Sequence, residues 1–324
     1  MMMKNTNSIY GRLCGVLSLG ALLISAAACS GRLDDQEPSL LFEVTPEVSV
    51  DGIGVESSSE PTRSTLVTDI TPIQQNGFRL KEYTGDNINN DVKYNSATGK
   101  WTIPNSPIIW RKNTEKKFLA FYPLNLANRL TFSSYDAVYK TGFDITTQND
   151  RQDILFACYD GTGDEGRFPL NFTHALAALQ FISRDIDSDL TAISSVSIGG
   201  FYKKASEMRV NCGTTDCTYS WTGLSDIAPA GTLSQTTLDE KFLLIPGQTF
   251  SDAAPLSVTI QATVAGKSQT ITGTIKQGTL TAGHVLRYRL NYRNGEELTF
   301  SPVSVTAWGS NPGGTAEAEE KNVE

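Results

Sequence analysis

The strongest constraint on what this chain can fold into is a two-residue apolar period that returns in short runs along its length. Leu40, Phe42, Val44, Pro46, Val48 and Val50 share one parity, and Glu43, Thr45, Glu47, Ser49 and Asp51 share the other. Successive side chains of a strand point to opposite faces, so this run predicts an amphipathic strand with one buried face. Pro46 has no N–H to give to a ladder, which favours an edge position. Val258, Ile260, Ala262 and Val264 repeat the pattern, and it resumes after Ala265-Gly266-Lys267, predicting a hairpin. Leu286, Tyr288, Leu290 and Tyr292 alternate with Arg287, Arg289, Asn291 and Arg293.

Further strand-like runs cover 78–83, 100–103, 118–122, 153–159, 175–182, 193–198, 241–245 and 298–308, and no long stretch holds a 3.6-residue apolar period. Many short strands joined by Gly- and Asn-rich turns predict an all-β chain of sandwiches, not a parallel sheet wrapped by helices. Gly and Asp residues at 160–166 interrupt the pattern. The sequence therefore divides into an N-terminal β-sandwich domain over 40–168 and a C-terminal one over 169–310. A polar, acidic tail follows over 311–324.

The first 28 residues have a different character. Lys4 and Arg12 precede a mostly apolar stretch that ends in Ala26-Ala27-Ala28-Cys29. Basic region, short apolar region and small-residue cleavage site are the parts of a secretory signal. The apolar stretch is short for a membrane span, which needs roughly 20 apolar residues. A cysteine directly after the small residues predicts a lipoprotein, with Cys29 as the first mature residue carrying acyl chains on its sulfur and freed amine. Position 26 is Ala where such sites usually hold Leu, and the alternative is an ordinary signal cut near Ala28. Several acyl chains on one residue anchor a protein almost permanently, at about 0.8 kcal/mol per buried methylene. Residues 29–39 then form an acidic tether.

Removing the signal takes away two basic residues and no acidic ones, moving the formal charge from −8 to −10. An acidic surface repels phosphate backbones, so nucleic acid is not expected as a partner. Of the five cysteines, Cys14 leaves with the signal and Cys29 is assigned to lipid, leaving Cys158, Cys212 and Cys217. Cys212 and Cys217 flank a Gly-containing turn, and export to an oxidising compartment predicts a local disulfide between them. Two free thiols are the alternative. A metal site is not expected, with only His174 and His284 to supply imidazoles.

Catalytic signatures are missing: no Gly-x-Ser-x-Gly elbow, no phosphate-binding loop, no His-Glu-x-x-His and no dinucleotide fingerprint. Asp185, Asp187 and Asp189 are spaced like a calcium loop, but Leu190 and Val196 stand where it needs Gly and Glu. His174 lies among apolar residues and reads as a core histidine. Trp101, Trp110, Trp221 and Trp308 would stack on sugars if exposed, and core packing explains them equally well. No enzyme and no cofactor are expected.

Several segments in order resemble the fimbrillin family of Bacteroidales, the subunits of type V pili and their surface-lipoprotein relatives. They are Trp110 with Lys117-Phe-Leu-Ala-Phe-Tyr-Pro123, Asp153-Ile-Leu-Phe-Ala157, and Leu170-Asn-Phe-Thr-His-Ala-Leu-Ala-Ala-Leu-Gln-Phe181. Leu244-Ile-Pro-Gly-Gln248, Gly283-His-Val-Leu-Arg-Tyr-Arg-Leu-Asn-Tyr292 and Val303-Ser-Val-Thr-Ala-Trp308 complete the series. The acidic residues after Cys29 also resemble the surface-display signal of Bacteroidetes lipoproteins.

The resemblance implies two tandem transthyretin-like sandwiches, surface exposure on the outer membrane, and assembly by strand exchange with other fimbrial subunits. A trypsin-like protease would cut after Arg63, free the 40–50 strand, and leave a groove for a neighbour's strand. The tail after Trp308 is too polar to fill such a groove, so the donor would have to be the 298–308 region, which Pro302 interrupts. Fixed in its own domain, that region would imply a tip, an anchor or a non-polymerising role. The adhesion ligand would be a host or bacterial surface glycan or protein. The alternative reading is a non-polymerising glycan-binding surface lipoprotein.

Overall fold

The computed structural model describes residues 41–50 and 70–308, apart from 86–87, 105–106, 112, 163–166, 187–189, 239 and 294–296. The fold is all-β. Strand β1 (Leu41–Val50) is followed by a short helix α1 (Thr71–Asn76), β2 (Phe78–Glu82), β3 (Asn89–Asn95), β4 (Lys100–Thr102), β5 (Ile108–Arg111) and β6 (Glu115–Tyr122). A 3-10 helix over Leu124–Asn128 leads into β7 (Thr131–Ser134), β8 (Ala137–Asp144), β9 (Leu155–Thr162) and β10 (Arg167–His174). Next come β11 (Ala177–Ile186), β12 (Leu190–Gly199), β13 (Tyr202–Cys212), β14 (Cys217–Thr222), β15 (Ser225–Ile227) and β16 (Leu233–Gln235). The described chain closes with β17 (Lys241–Leu244), β18 (Leu256–Val264), β19 (Lys267–Ile275), β20 (His284–Tyr292) and β21 (Thr299–Ala307).

Four sheets result. An eight-stranded sheet runs β4-β3-β2-β6-β9-β10-β1-β5, and two four-stranded sheets run β17-β11-β20-β21 and β16-β12-β18-β19. The fourth runs β14-β13-β8-β7, with β15 paired to β13. The apolar period explains the second half well. Along β18, positions alternate between buried and half-buried from end to end. Ala265 and Gly266 both have positive φ, 47° and 77°, which is the backbone of a two-residue type I′ turn. That turn pairs Val264 with Lys267 and carries the ladder down to Leu256 and Ile275.

Residues 160–162, expected to interrupt the strand pattern, belong to β9, and the division expected at 168/169 falls inside β10. The fourth sheet also takes strands from both sides of it, because β8 lies antiparallel to β13 from Lys204–Asp144 to Val210–Val138. The physical reason is the β13–β14 hairpin, which lies back on the first half. The Tyr135 hydroxyl donates to the Gly213 carbonyl at 3.0 Å, and the Asp160 N–H donates to the Thr214 carbonyl at 2.7 Å. The described residues accordingly group as one unit. Two hydrophobic cores persist within it. One is confined to residues 50–172, and the other mixes residues 119–158 with 175–308.

Candidate assembly strand and its groove

Strand β1 is integrated in the eight-stranded sheet and changes neighbour half-way along. Leu41 to Val44 pair antiparallel with Arg111 to Ile108 of β5, and Thr45 to Val50 pair parallel with Arg167 to Phe172 of β10. Pro46 lies in the stretch where the ladder runs only to β10, so its missing N–H costs no bond to β5. The strand is thus internal to the sheet order, while Pro46 occupies a locally one-sided position. Strand β5 sits at the end of the sheet, and β1 is its neighbour there.

Apolar side chains line the groove that β1 closes. Val50 is buried against a cluster that includes Ile108, Trp110, Phe168, Leu170 and Phe172, with Val48 packed at its margin. Phe118 stacks on Phe168 with ring centroids 4.6 Å apart. Trp110 meets Phe118, Tyr159 and Phe168 edge-on, each at 5.8 Å. The buried indole donates its Nε1–H to the Thr114 carbonyl at 2.8 Å, so it carries no unmet polar demand there. Ser49 Oγ donates to Asn171 Oδ1 at 3.0 Å, and Arg167 pairs with Glu47 at 2.8 Å on the outside. Sequence reading missed β5 as the partner, although Ile108-Ile109-Trp110 is a short apolar run that could have signalled it.

At the other end of the chain, β21 is the edge of its sheet, paired antiparallel with β20 from Asn291–Thr299 to His284–Ala307. The register shifts where Pro302 stands opposite Tyr288, a bulge suited to proline. Val303 and Val305 are exposed, at 44% and 55%. The ends are held. Phe300 packs on Phe181 at 5.6 Å, and buried Trp308 stacks on His174 at 4.2 Å. Arg287 donates from Nε to Gln180 Oε1 at 3.0 Å and from its terminal nitrogen to Thr306 Oγ1, tying β21 to the strands beside it.

The disulfide prediction is corrected by the structure. Cys217 bonds to Cys158 rather than to Cys212, and Cys212 is a free thiol. Cys212 and Cys217 do face each other across the β13–β14 hairpin. The tip of that hairpin rests on β9, where Asp160 N–H donates to the Thr214 carbonyl at 2.7 Å, and this brings Cys158 to Cys217 with Cα atoms 5.9 Å apart. Spacing along the chain could not reveal a partner 59 residues away. Burial pushes the Cys212 thiol up to about 12, with the Asp136 charge adding to it. Cys29 and Arg63 lie outside the described residues.

His174 is fully buried, and its Nδ1 lies 2.7 Å from Asp153 Oδ1, as suits a hydrogen-bonded core histidine. Trp101, Trp110 and Trp308 are buried and Trp221 is half-buried against Phe143, so sugar stacking loses the feature that had suggested it.

The fimbrillin-like family pattern matches residues 66–308. The chain belongs to the fimbrillin-like family. A cell adhesion protein from Bacteroides uniformis, described as putative, shares the fold of this fimbrillin-like chain. It is 17% identical with a TM-score of 0.53, over 83% of this chain and 99% of that one. A fimbrial protein from Bacteroides vulgatus aligns at 16% identity and a TM-score of 0.49, over 82% and 99%. A fimbrial assembly protein from Parabacteroides distasonis aligns at 13% and 0.43, over 83% and 99%. No curated protein matches the chain.

Proposed function

We propose that this fimbrillin-like chain is a structural, non-catalytic component of a cell-surface fimbria. Acyl chains on Cys29 hold the uncleaved chain in the outer membrane, and assembly proceeds by protease-triggered strand exchange, which separates the folded body from that anchor. Cleavage after Arg63 releases β1, and a strand from a neighbouring subunit enters the vacated place. The observation that carries the proposal is the position of β1 between β10 and β5. Its loss leaves two rows of backbone groups unpaired and the Trp110–Phe168 cluster uncovered. An added strand satisfies both demands at once. The anchored ends of β21 favour an accessory place, at the tip or the anchor, over repeated donation along a stalk.

Limited trypsin digestion tests this reading. The first cut is expected after Arg63, and the cleaved protein is expected to form strand-linked oligomers on size-exclusion chromatography while Arg63→Ala stays monomeric. Equal oligomerisation of Arg63→Ala would remove the protease from the mechanism, and cleaved protein that remains monomeric would remove strand exchange.

A further inference from the structure

The sulfur atoms of Cys158, Cys212 and Cys217 all lie within 4.8 Å of one another, so a free thiol stands beside a formed disulfide. Cys212 and Cys217 are direct cross-strand partners. In the next pair toward the turn, Gly213 N–H donates to the Asp216 carbonyl at 2.8 Å. Hydrogen-bonded and non-hydrogen-bonded pairs alternate along an antiparallel ladder, so Cys212 and Cys217 occupy a non-hydrogen-bonded pair. Such pairs bring side chains closest, with Cα atoms roughly 4.5 Å apart. That is inside the range a disulfide spans without backbone movement, about 4.4–6.8 Å. Two mutually exclusive bridges to Cys217 are therefore within reach of one backbone arrangement.

We propose that this cluster is a site of internal thiol–disulfide exchange between an inter-sheet bridge, Cys158–Cys217, and a hairpin bridge, Cys212–Cys217. Cys212 gives its proton to solvent, and its thiolate attacks Sγ of Cys217. The new S–S bond forms as the Cys158–Cys217 bond breaks. The electron pair leaves on Sγ of Cys158, which takes up a proton. Nothing is oxidised or reduced overall, so no outside reagent is needed. The two states differ in what they hold together. Cys158 belongs to β9 of the eight-stranded sheet and Cys217 to β14 of the sheet that spans both halves, so the first state staples two sheets. The second staples only the ends of one hairpin.

Burial of Cys212 keeps the attacking thiolate scarce near neutral pH, which makes the exchange slow there. Because the rate follows the thiolate fraction, it should rise about tenfold per pH unit from about pH 7 to about pH 9.

The test uses the full-length protein, folded and oxidised, incubated across that pH range, then quenched in acid and alkylated in denaturant. Non-reduced peptide mapping is expected to show Cys212–Cys217 accumulating with alkylated Cys158, at a rate that climbs with pH. Cys212→Ser is expected to keep Cys158–Cys217 intact throughout, separating internal exchange from scrambling between molecules. Wild-type protein that retains only Cys158–Cys217 after prolonged incubation at the highest pH would overturn the proposal. So would loss of that bridge at the same rate in Cys212→Ser.

Discussion

The two hydrophobic cores are built from different kinds of pairing. In the second half, β18 and β19 are a hairpin with a two-residue turn, and their ladder covers nine residues on each strand. In the first half, β1 meets β10 across a long stretch of sequence, with Glu47 and Arg167 separated by 120 residues along the chain. Local pairs close short loops and are cheap to form, whereas remote pairs rest on side-chain burial to offset the ordering they require. The first core accordingly concentrates aromatic rings around β1, with Trp110, Phe118, Phe168 and Phe172 all fully buried. The second core also holds remote pairs, such as parallel β11 and β20, but the first is closed by an N-terminal strand that reaches the rest of its sheet through residues 51–69. A single cut within that connection leaves every other strand in place.

The contrast is most sharply tested at Trp110. Trp110→Ala should cost about 3–5 kcal/mol, as for other buried large-to-small changes. Hydrogen-exchange protection should fall in β1, β5 and β10 and persist in β18 and β19. Uniform loss of protection would mean that the two cores form one cooperative unit. A smaller effect is expected from Cys158→Ser, which removes the link between the first sheet and the β13–β14 hairpin. A disulfide is worth about 2–4 kcal/mol. Calorimetry should show a lower melting temperature and a single transition separating into two. A single unsplit transition would show that the β8–β13 ladder is enough to couple the halves. The smallest effect belongs to Arg167→Ala. Its pair with Glu47 is largely exposed, with side chains 70% and 56% accessible, so the change in denaturant-derived stability should stay within about 1 kcal/mol. A larger loss would mean that β1 is held from outside the groove as well as within it.

What was legible in the sequence follows from burial on one face. β18 buries alternate residues throughout, as do β19 from Ile271 and β20 from Tyr288, so their period showed. β3 reads Asn-Asn-Asp-Val-Lys-Tyr-Asn with only Val92 buried, and β15 is exposed throughout, so neither carries a two-residue signal. β8 and β13 were missed because their pairing joins distant segments. β8 also buries Lys140 beside Val138 and Phe143, where Lys140 Nζ lies 3.2 Å from Asp150. A charged residue at a core position breaks the apolar pattern that sequence reading relies on. Strand β1 itself was plain, since Val48 and Val50 follow the expected parity. Its partners were not, because nothing local ties residue 45 to residue 167.

The mixed ladder of β1 also fixes how the sheet bears load. Its backbone lies alongside β10 over one half and β5 over the other, with the strand axis running along both seams. Tension applied along that axis strains the hydrogen bonds of a seam side by side, so they must fail together. Tension applied across the sheet would peel them one after another. A strand seated in this slot is therefore mechanically strongest in the direction along which it lies, and weakest against a sideways pull at either end.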